Sequence, residues 1–146
     1  MLLSHHQLFS AFGTVGSVSG QAFAYNPNRY GSFRGVLSDV VLWFFGHEHT
    51  LAFYGPCMGL ERGRCLSASA VPVFTDQQKY APAAGLQTYQ GEPLPVWNTA
   101  AVLGNNGTDY NNAFAMMTLN GSAATVNYYQ VPPLGMVTQF PVIDSV

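Results

Sequence analysis

Six apolar residues, Val40-Val41-Leu42-Trp43-Phe44-Phe45, stand in a row and stop at Gly46. A run of that length, bounded by a turn residue, predicts a strand covered on both faces, as in the parallel sheet of an α/β protein. His47, Glu48 and His49 follow just past its carboxyl end, which is where open α/β sheets place their ligands. In an extended segment, residues two apart leave the same side of the backbone. His47 and His49 are therefore expected to present their imidazoles together, as a pair suited to a metal ion.

Met1-Leu2-Leu3-Ser4 has the pattern of a strand end and delivers His5 and His6 in the same way. Leu8 to Phe12 is expected to begin a helix, and the uncharged stretch from Gly13 to Gly20 to be a loop. Tyr25-Asn26-Pro27-Asn28 predicts a turn, and Phe33 to Asp39 a short helix weakened by Gly35. Leu51 to Tyr54 predicts another strand, stopped by Gly55-Pro56. Glu61-Arg62-Gly63-Arg64 is expected to be a solvated turn. Leu66 to Phe74, with Pro72 inside, is a bent or edge strand at best, and Gln77 to Pro95 a loop. Trp97 to Leu103 is a short apolar segment closed by the turn residues Gly104 to Gly107.

The clearest local signal lies further on. Ala113 to Leu119 and Ala123 to Tyr129 flank Asn120-Gly121, a pair that tolerates the positive φ of a tight hairpin turn. Residues 1–130 are expected to hold the domain. Residues 131–146, with three prolines, are expected to trail along its surface as a tail. No internal repeat is found.

Composition adds one surprise. The 146 residues suffice for one domain with a sizeable core. Charged residues are only 8% of them, against about 25% in a soluble domain. Either the surface is unusually apolar or something else covers part of it. The net charge of −2, with four arginines and one lysine dispersed, gives no patch for neutralising nucleic-acid phosphates. No apolar run approaches the roughly 20 residues of a membrane span. The N-terminus has no signal-peptide pattern, so a cytoplasmic chain is the expectation. Cys57 and Cys65 are expected to be free buried thiols.

All four histidines sit in two short clusters, each at an expected strand end, and this concentration favours one shared site. Two familiar metal patterns fail on spacing. A zinc-protease helix needs His-Glu-x-x-His, but Leu51 stands where the second histidine belongs. A nucleobase deaminase needs His-x-Glu and then Pro-Cys-x-x-Cys; here Glu48 adjoins His47, and Leu60 follows Pro56-Cys57 in place of the second cysteine.

Ser4-His5-His6-Gln7 and Gly46-His47-Glu48-His49 resemble the last two motifs of the calcineurin-like metallophosphoesterases. Ala113 to Leu119, the Asn-Gly turn and Val126-Asn127-Tyr128-Tyr129 resemble the closing hairpin of that domain. The resemblance implies a strand-rich α/β fold, the C-terminal half of an α/β/β/α sandwich ending in an antiparallel β-hairpin. It implies hydrolysis of a phosphoester substrate with two divalent ions (Mn, Fe or Zn) held between paired sheets. His5 and His47 would be ligands of one ion, and His49 a ligand of the other. His6 has no counterpart in the motif and is expected to be a packed histidine or one that supports a ligand. Glu48 holds a variable position, solvated or hydrogen-bonded behind the ligands.

The same family carries Asp-x-His, Gly-Asp-x-x-Asp and Gly-Asn-His-[Asp/Glu] ahead of these motifs. No acidic residue precedes Asp39 here. The bridging carboxylate, the asparagine ligand and the general-acid histidine therefore have no candidates. The chain is expected to be a truncated product, a fragment or one piece of a split enzyme, inactive alone. Its imidazoles would hold at most one zinc-like ion. The partners expected are a complementary N-terminal half, or a second copy joined through open sheet edges. The competing expectation is a non-catalytic interaction module with at most one bound metal.

Overall fold

The computed structural model describes residues 1–146 other than Ala70, Gln78, Tyr89 and Gln90. In chain order its elements are β1 (Leu2–Ser4), β2 (Gly16–Val18), β3 (Gln21–Phe23), α1 (Pro27–Phe33), β4 (Trp43–Phe45), β5 (Leu51–Tyr54), β6 (Gly63–Leu66), β7 (Asn112–Asn120), β8 (Ala123–Val131) and β9 (Thr138–Ser145). Strand dominates and helix is scarce. The first sheet runs β1-β4-β6-β5, with β1, β4 and β6 parallel and β5 antiparallel to β6. The second is the antiparallel meander β7-β8-β9, and β2-β3 is a small separate hairpin.

The apolar run predicted as a doubly covered strand behaves as one at Trp43–Phe45, where all three residues are buried. Alternation sends their side chains two ways. Phe44, with Leu51 and Phe53, shares a core with Ala113, Val126, Tyr128 and Phe140 of the second sheet. Trp43 and Phe45 face the opposite side, toward Phe9, Leu37 and Tyr54, with Phe33 of α1 packed against that cluster. The molecule is therefore layered: helix and coil, mixed sheet, antiparallel sheet. The first half of the run is not strand. Val40 closes a 3₁₀ turn at Leu37–Asp39, and Val41 is exposed.

Several local expectations give way to tertiary context. Leu8 to Phe12 forms no helix: Phe9 makes an isolated antiparallel bridge with Tyr25, where Ser10 N–H donates to Ala24 O and Asn26 N–H to Leu8 O. The Asn26-Pro27 pair read as a turn starts α1 instead. The Asn26 side chain accepts from Arg29 N–H at 3.0 Å, and proline occupies the first helical turn, the usual roles of these residues at a helix start. The helix expected at Phe33 to Asp39 shrinks to the 3₁₀ turn. Part of the Gly13 to Gly20 loop forms β2. Gln77 to Pro95 is without strands at its described residues; Gln78, Tyr89 and Gln90 lie outside them, as does Ala70 of the Leu66 to Phe74 segment.

Two corrections concern charge and proline. Arg64, expected in a solvated turn, lies on β6 and is buried. It pairs bidentately with Asp144 (Nε to Oδ2 and Nη2 to Oδ1, both 2.7 Å) and donates to Tyr54 O at 2.7 Å. The expected tail contains β9, which supplies that aspartate. Pro141 concealed this strand from a sequence reading. It sits on an edge strand where the register slips between Asn127 and Tyr129, and edges and bulges are the positions that tolerate proline.

Candidate metal centre

β1 and β4 are adjacent and parallel, with Ser4 opposite Phe45. The next residues of both strands therefore emerge side by side at one sheet end. Gly46 N–H donates to His5 O at 2.9 Å, carrying the ladder one step further. A Cβ on Gly46 would lie 3.2 Å from that oxygen, so glycine is what allows the two backbones to close up here. This contact sets His5 against His47.

Three imidazoles meet at this point. His47 Nδ1 lies 3.3 Å from His5 Nε2. The ring centroids are 4.8 Å apart for His5 and His6, 5.1 Å for His5 and His47, and 4.4 Å for His6 and His47. One ligand nitrogen from each falls within 4.8 Å of the others, and all three rings are exposed. Two nitrogens on a tetrahedral zinc, each about 2.05 Å from the ion, stand about 3.3 Å apart. The His5–His47 pair already has that spacing, and His6 offers a nitrogen within 4.8 Å of both. Three imidazoles and an open fourth position suit zinc well. Among the described residues no cysteine or carboxylate joins the group.

The sequence expectation paired His47 with His49 on one face. His47 has φ 71° and His49 φ 55°, so the segment turns instead of running extended, and the two-residue alternation fails. His49 falls outside the three-histidine group, and His6, expected to support or pack, stands within it. Left-handed backbone is uncommon outside glycine, although histidine is among the residues enriched there. Its clustering at a ligand-type site fits the general pattern of local strain.

Glu48 points the other way and holds the turn. Its carboxylate accepts from the Ser10 hydroxyl and, at 3.3 Å, from the Tyr54 phenol. Burial raises the Glu48 carboxyl above its ordinary range, and the hydrogen bonds from Ser10 and Tyr54 work against that rise. Burial, then the charge of Glu48, raises the Tyr54 phenol well above its ordinary value, so it remains a donor. Burial first, and then the neighbouring histidines, lower the His47 imidazole. That favours the neutral form a metal requires.

Both cysteines are free and buried. Burial pushes the Cys57 thiol up to about 12 and raises Cys65 as well, so neither offers a ready thiolate. Beside the histidines, His6 and His47 also line a cavity of about 290 Å³ together with Gln7, Thr14 and Arg29. Sequence reasoning singled out neither Gln7 nor Arg29. Nothing in their local pattern distinguishes them, because β1, the 13–15 segment and α1 come together only in the fold. Comparison with protein-family models, with curated proteins and with solved structures gives no match.

Proposed function

We propose that this chain carries the histidine half of a metal-dependent phosphoester hydrolase site of the calcineurin-like type, and that His5, His6 and His47 hold one divalent ion. The observation that carries the reading is the convergence of these three rings, from strands far apart in sequence, at one end of a parallel pair. The layering supports it too. Helix, mixed sheet and antiparallel sheet are what three layers of an α/β/β/α arrangement would present, and Phe114, Met116 and Ile143 are exposed on β7–β9, where its fourth layer would lie. In a complete site such ions act as Lewis acids toward the phosphoryl oxygens. The chain's own residues position that chemistry: Gly46 sets the strand ends, Glu48 anchors the turn, and the imidazoles take the ion. Without carboxylates the three imidazoles hold one ion, and the chain alone is not expected to turn over substrate.

Calorimetric titration with Zn²⁺ and Mn²⁺ tests this. The expected result is one ion per chain, abolished in a His5→Ala, His47→Ala double variant. Equal uptake by both proteins would refute the site.

One observation favours a second reading, an interaction module. The outer edge of β1 pairs with nothing among the described residues. Next to it a cleft of about 570 Å³ opens between the sheets, lined by Leu3, Phe44, Leu66, Met117 and Val126. An unpaired edge above an apolar cleft suits strand addition by a partner or a second copy. A Leu3→Lys variant separates the readings: self-association or partner capture lost in the variant supports the module, and unchanged sedimentation with zinc uptake intact supports the hydrolase half.

A further inference from the structure

Arg29 is the cation in the wall of the histidine cavity. Arg62 and Arg64 are engaged with Glu61 and Asp144, whereas Arg29, like Arg34 and Lys79, enters no ion pair among the described residues. It lies on α1, half-buried, and lines the same cavity as His6 and His47. No carboxylate contributes to that lining. An arginine held in a wall without a counter-anion leaves its planar donor fork available, and such a fork matches phosphate or carboxylate oxygens in pairs.

A second observation points to a ligand in the same place. Gln7, in the cavity wall, is 6% exposed, and its buried amide oxygen has no hydrogen-bond partner in the structure. A buried amide left unsatisfied is costly, so the Gln7 amide would gain by turning toward a donor in the cavity. Thr14 adds a hydroxyl to the lining. At about 290 Å³ the space is at or below the roughly 300–1,000 Å³ of sites for drug-sized molecules. It suits a small polar head group better than an extended ligand.

We infer that Arg29 is the anion-recognition residue of this site, gripping a tetrahedral phosphoryl group that the ion on His5, His6 and His47 holds from the other side. The inference rests on the metal reading above. It makes Arg29 a binding and positioning residue, and Gln7 a further polar contact for the ligand.

The probe is phenylphosphonate, a phosphoryl dianion with no ester bond to hydrolyse, with inorganic phosphate at low concentration as a second arm. Zn²⁺ uptake is measured first on the wild-type chain and on the Arg29→Gln, Arg29→Lys and Arg34→Gln variants, and probe binding is then measured calorimetrically on each loaded protein. Arg29→Gln is expected to keep its metal and lose at least about tenfold in phosphonate affinity, and Arg29→Lys to lose less. Arg34→Gln, at the carboxyl end of the same helix but outside the cavity lining, is expected to change nothing. Tighter binding of the phosphonate would assign the pocket to an organic phosphoester, and tighter binding of phosphate to the free anion. Equal probe affinity in wild type and Arg29→Gln, with metal uptake intact, would overturn the role of Arg29 and leave the metal site standing. Absence of metal uptake by the wild-type chain would overturn both.

Discussion

Gly46 and His6 are the residues on which the histidine centre depends most and which a motif gives least reason to choose. A methyl group at position 46 would press on the His5 carbonyl at 3.2 Å, so that strand end must give by a few tenths of an ångström. Gly46→Ala is therefore expected to weaken Zn²⁺ affinity about tenfold or more, through displacement of His5, without loss of the fold. Equal affinity in a calorimetric titration would show that the strand ends do not set the site. His6 and His49 offer a sharper contrast. His6→Ala removes one of three converging nitrogens, whereas His49→Ala removes a ring outside the group. The first is expected to abolish tight Zn²⁺ binding and the second to leave it within a few-fold. Acid works in the same direction. Imidazoles bind metal only when neutral, and burial and the adjacent rings hold His47 below its ordinary value. Uptake should thus be nearly complete above about pH 7, should weaken below the ordinary imidazole value of about 6.5, and should release protons into a weakly buffered solution at pH 6.

The pairing of β6 with β9 is the strongest polar link between the two sheets. Arg64 holds Asp144 with two bonds, Tyr128 donates to the same carboxylate, and Arg62 stands 3.8 Å away. Burial alone would raise the Asp144 carboxyl; the hydrogen bonds from Arg64 and Tyr128, with the charges of Arg64 and Arg62, outweigh it and hold it lowered. A depressed carboxyl contributes stability that is present above its unfolded value of about 3.9 and lost as pH falls through the folded value. Acid unfolding below about pH 4 should consequently be blunted in Asp144→Asn. At pH 7 the same substitution strands the buried Arg64 charge and is expected to cost about 3–5 kcal/mol in a urea denaturation; a cost below about 1 kcal/mol would rule the link out as a stabilising one. The pattern of apolar residues predicted β4, β5 and the β7–β8 hairpin, because each carries a two-sided core or a glycine-bearing turn in its own sequence; the turn itself falls on Gly121 and Ser122, with Asn120 still in β7 opposite Ala123 and Gly121 supplying the positive φ. It could not predict β9 or the burial of Arg64. Each reads as polar or proline-broken alone, and only the other makes it a core element. α1 was hidden for a related reason: Asn26-Pro27 signals a turn and a helix start equally, and packing of Phe33 on Trp43, with ring centroids 5.1 Å apart, decides between them.

Across the whole molecule, the scarcity of charge noted in the sequence maps onto two uncovered regions. One is the β1 edge with its apolar cleft, and the other the outer face of the antiparallel sheet, where Phe114, Met116 and Ile143 are exposed. Among the described residues no helix is long and apolar enough to cross a membrane, so that surface does not mark a helical span. Leu3, 73% exposed on the β1 edge, is the natural place to test whether copies of the chain meet there. Charge on an edge strand discourages strand addition, so Leu3→Lys should sediment as monomer at concentrations where the unmodified chain self-associates. Identical sedimentation of the two would remove the β1 edge from consideration. The centre itself was half visible in the sequence: two histidine clusters at two strand ends pointed to one place. Which rings converge was not, because left-handed backbone at positions 47 and 49 broke the alternation on which the pairing of His47 with His49 relied.

Histidine ring nitrogens followed by ¹⁵N NMR during a Zn²⁺ titration put the central claim to its most direct test. One equivalent of zinc should shift a ring nitrogen of His5, His6 and His47 together and leave His49 in place. Shifts at His49 without His6, or no shift at His5 when His47 responds, would contradict it.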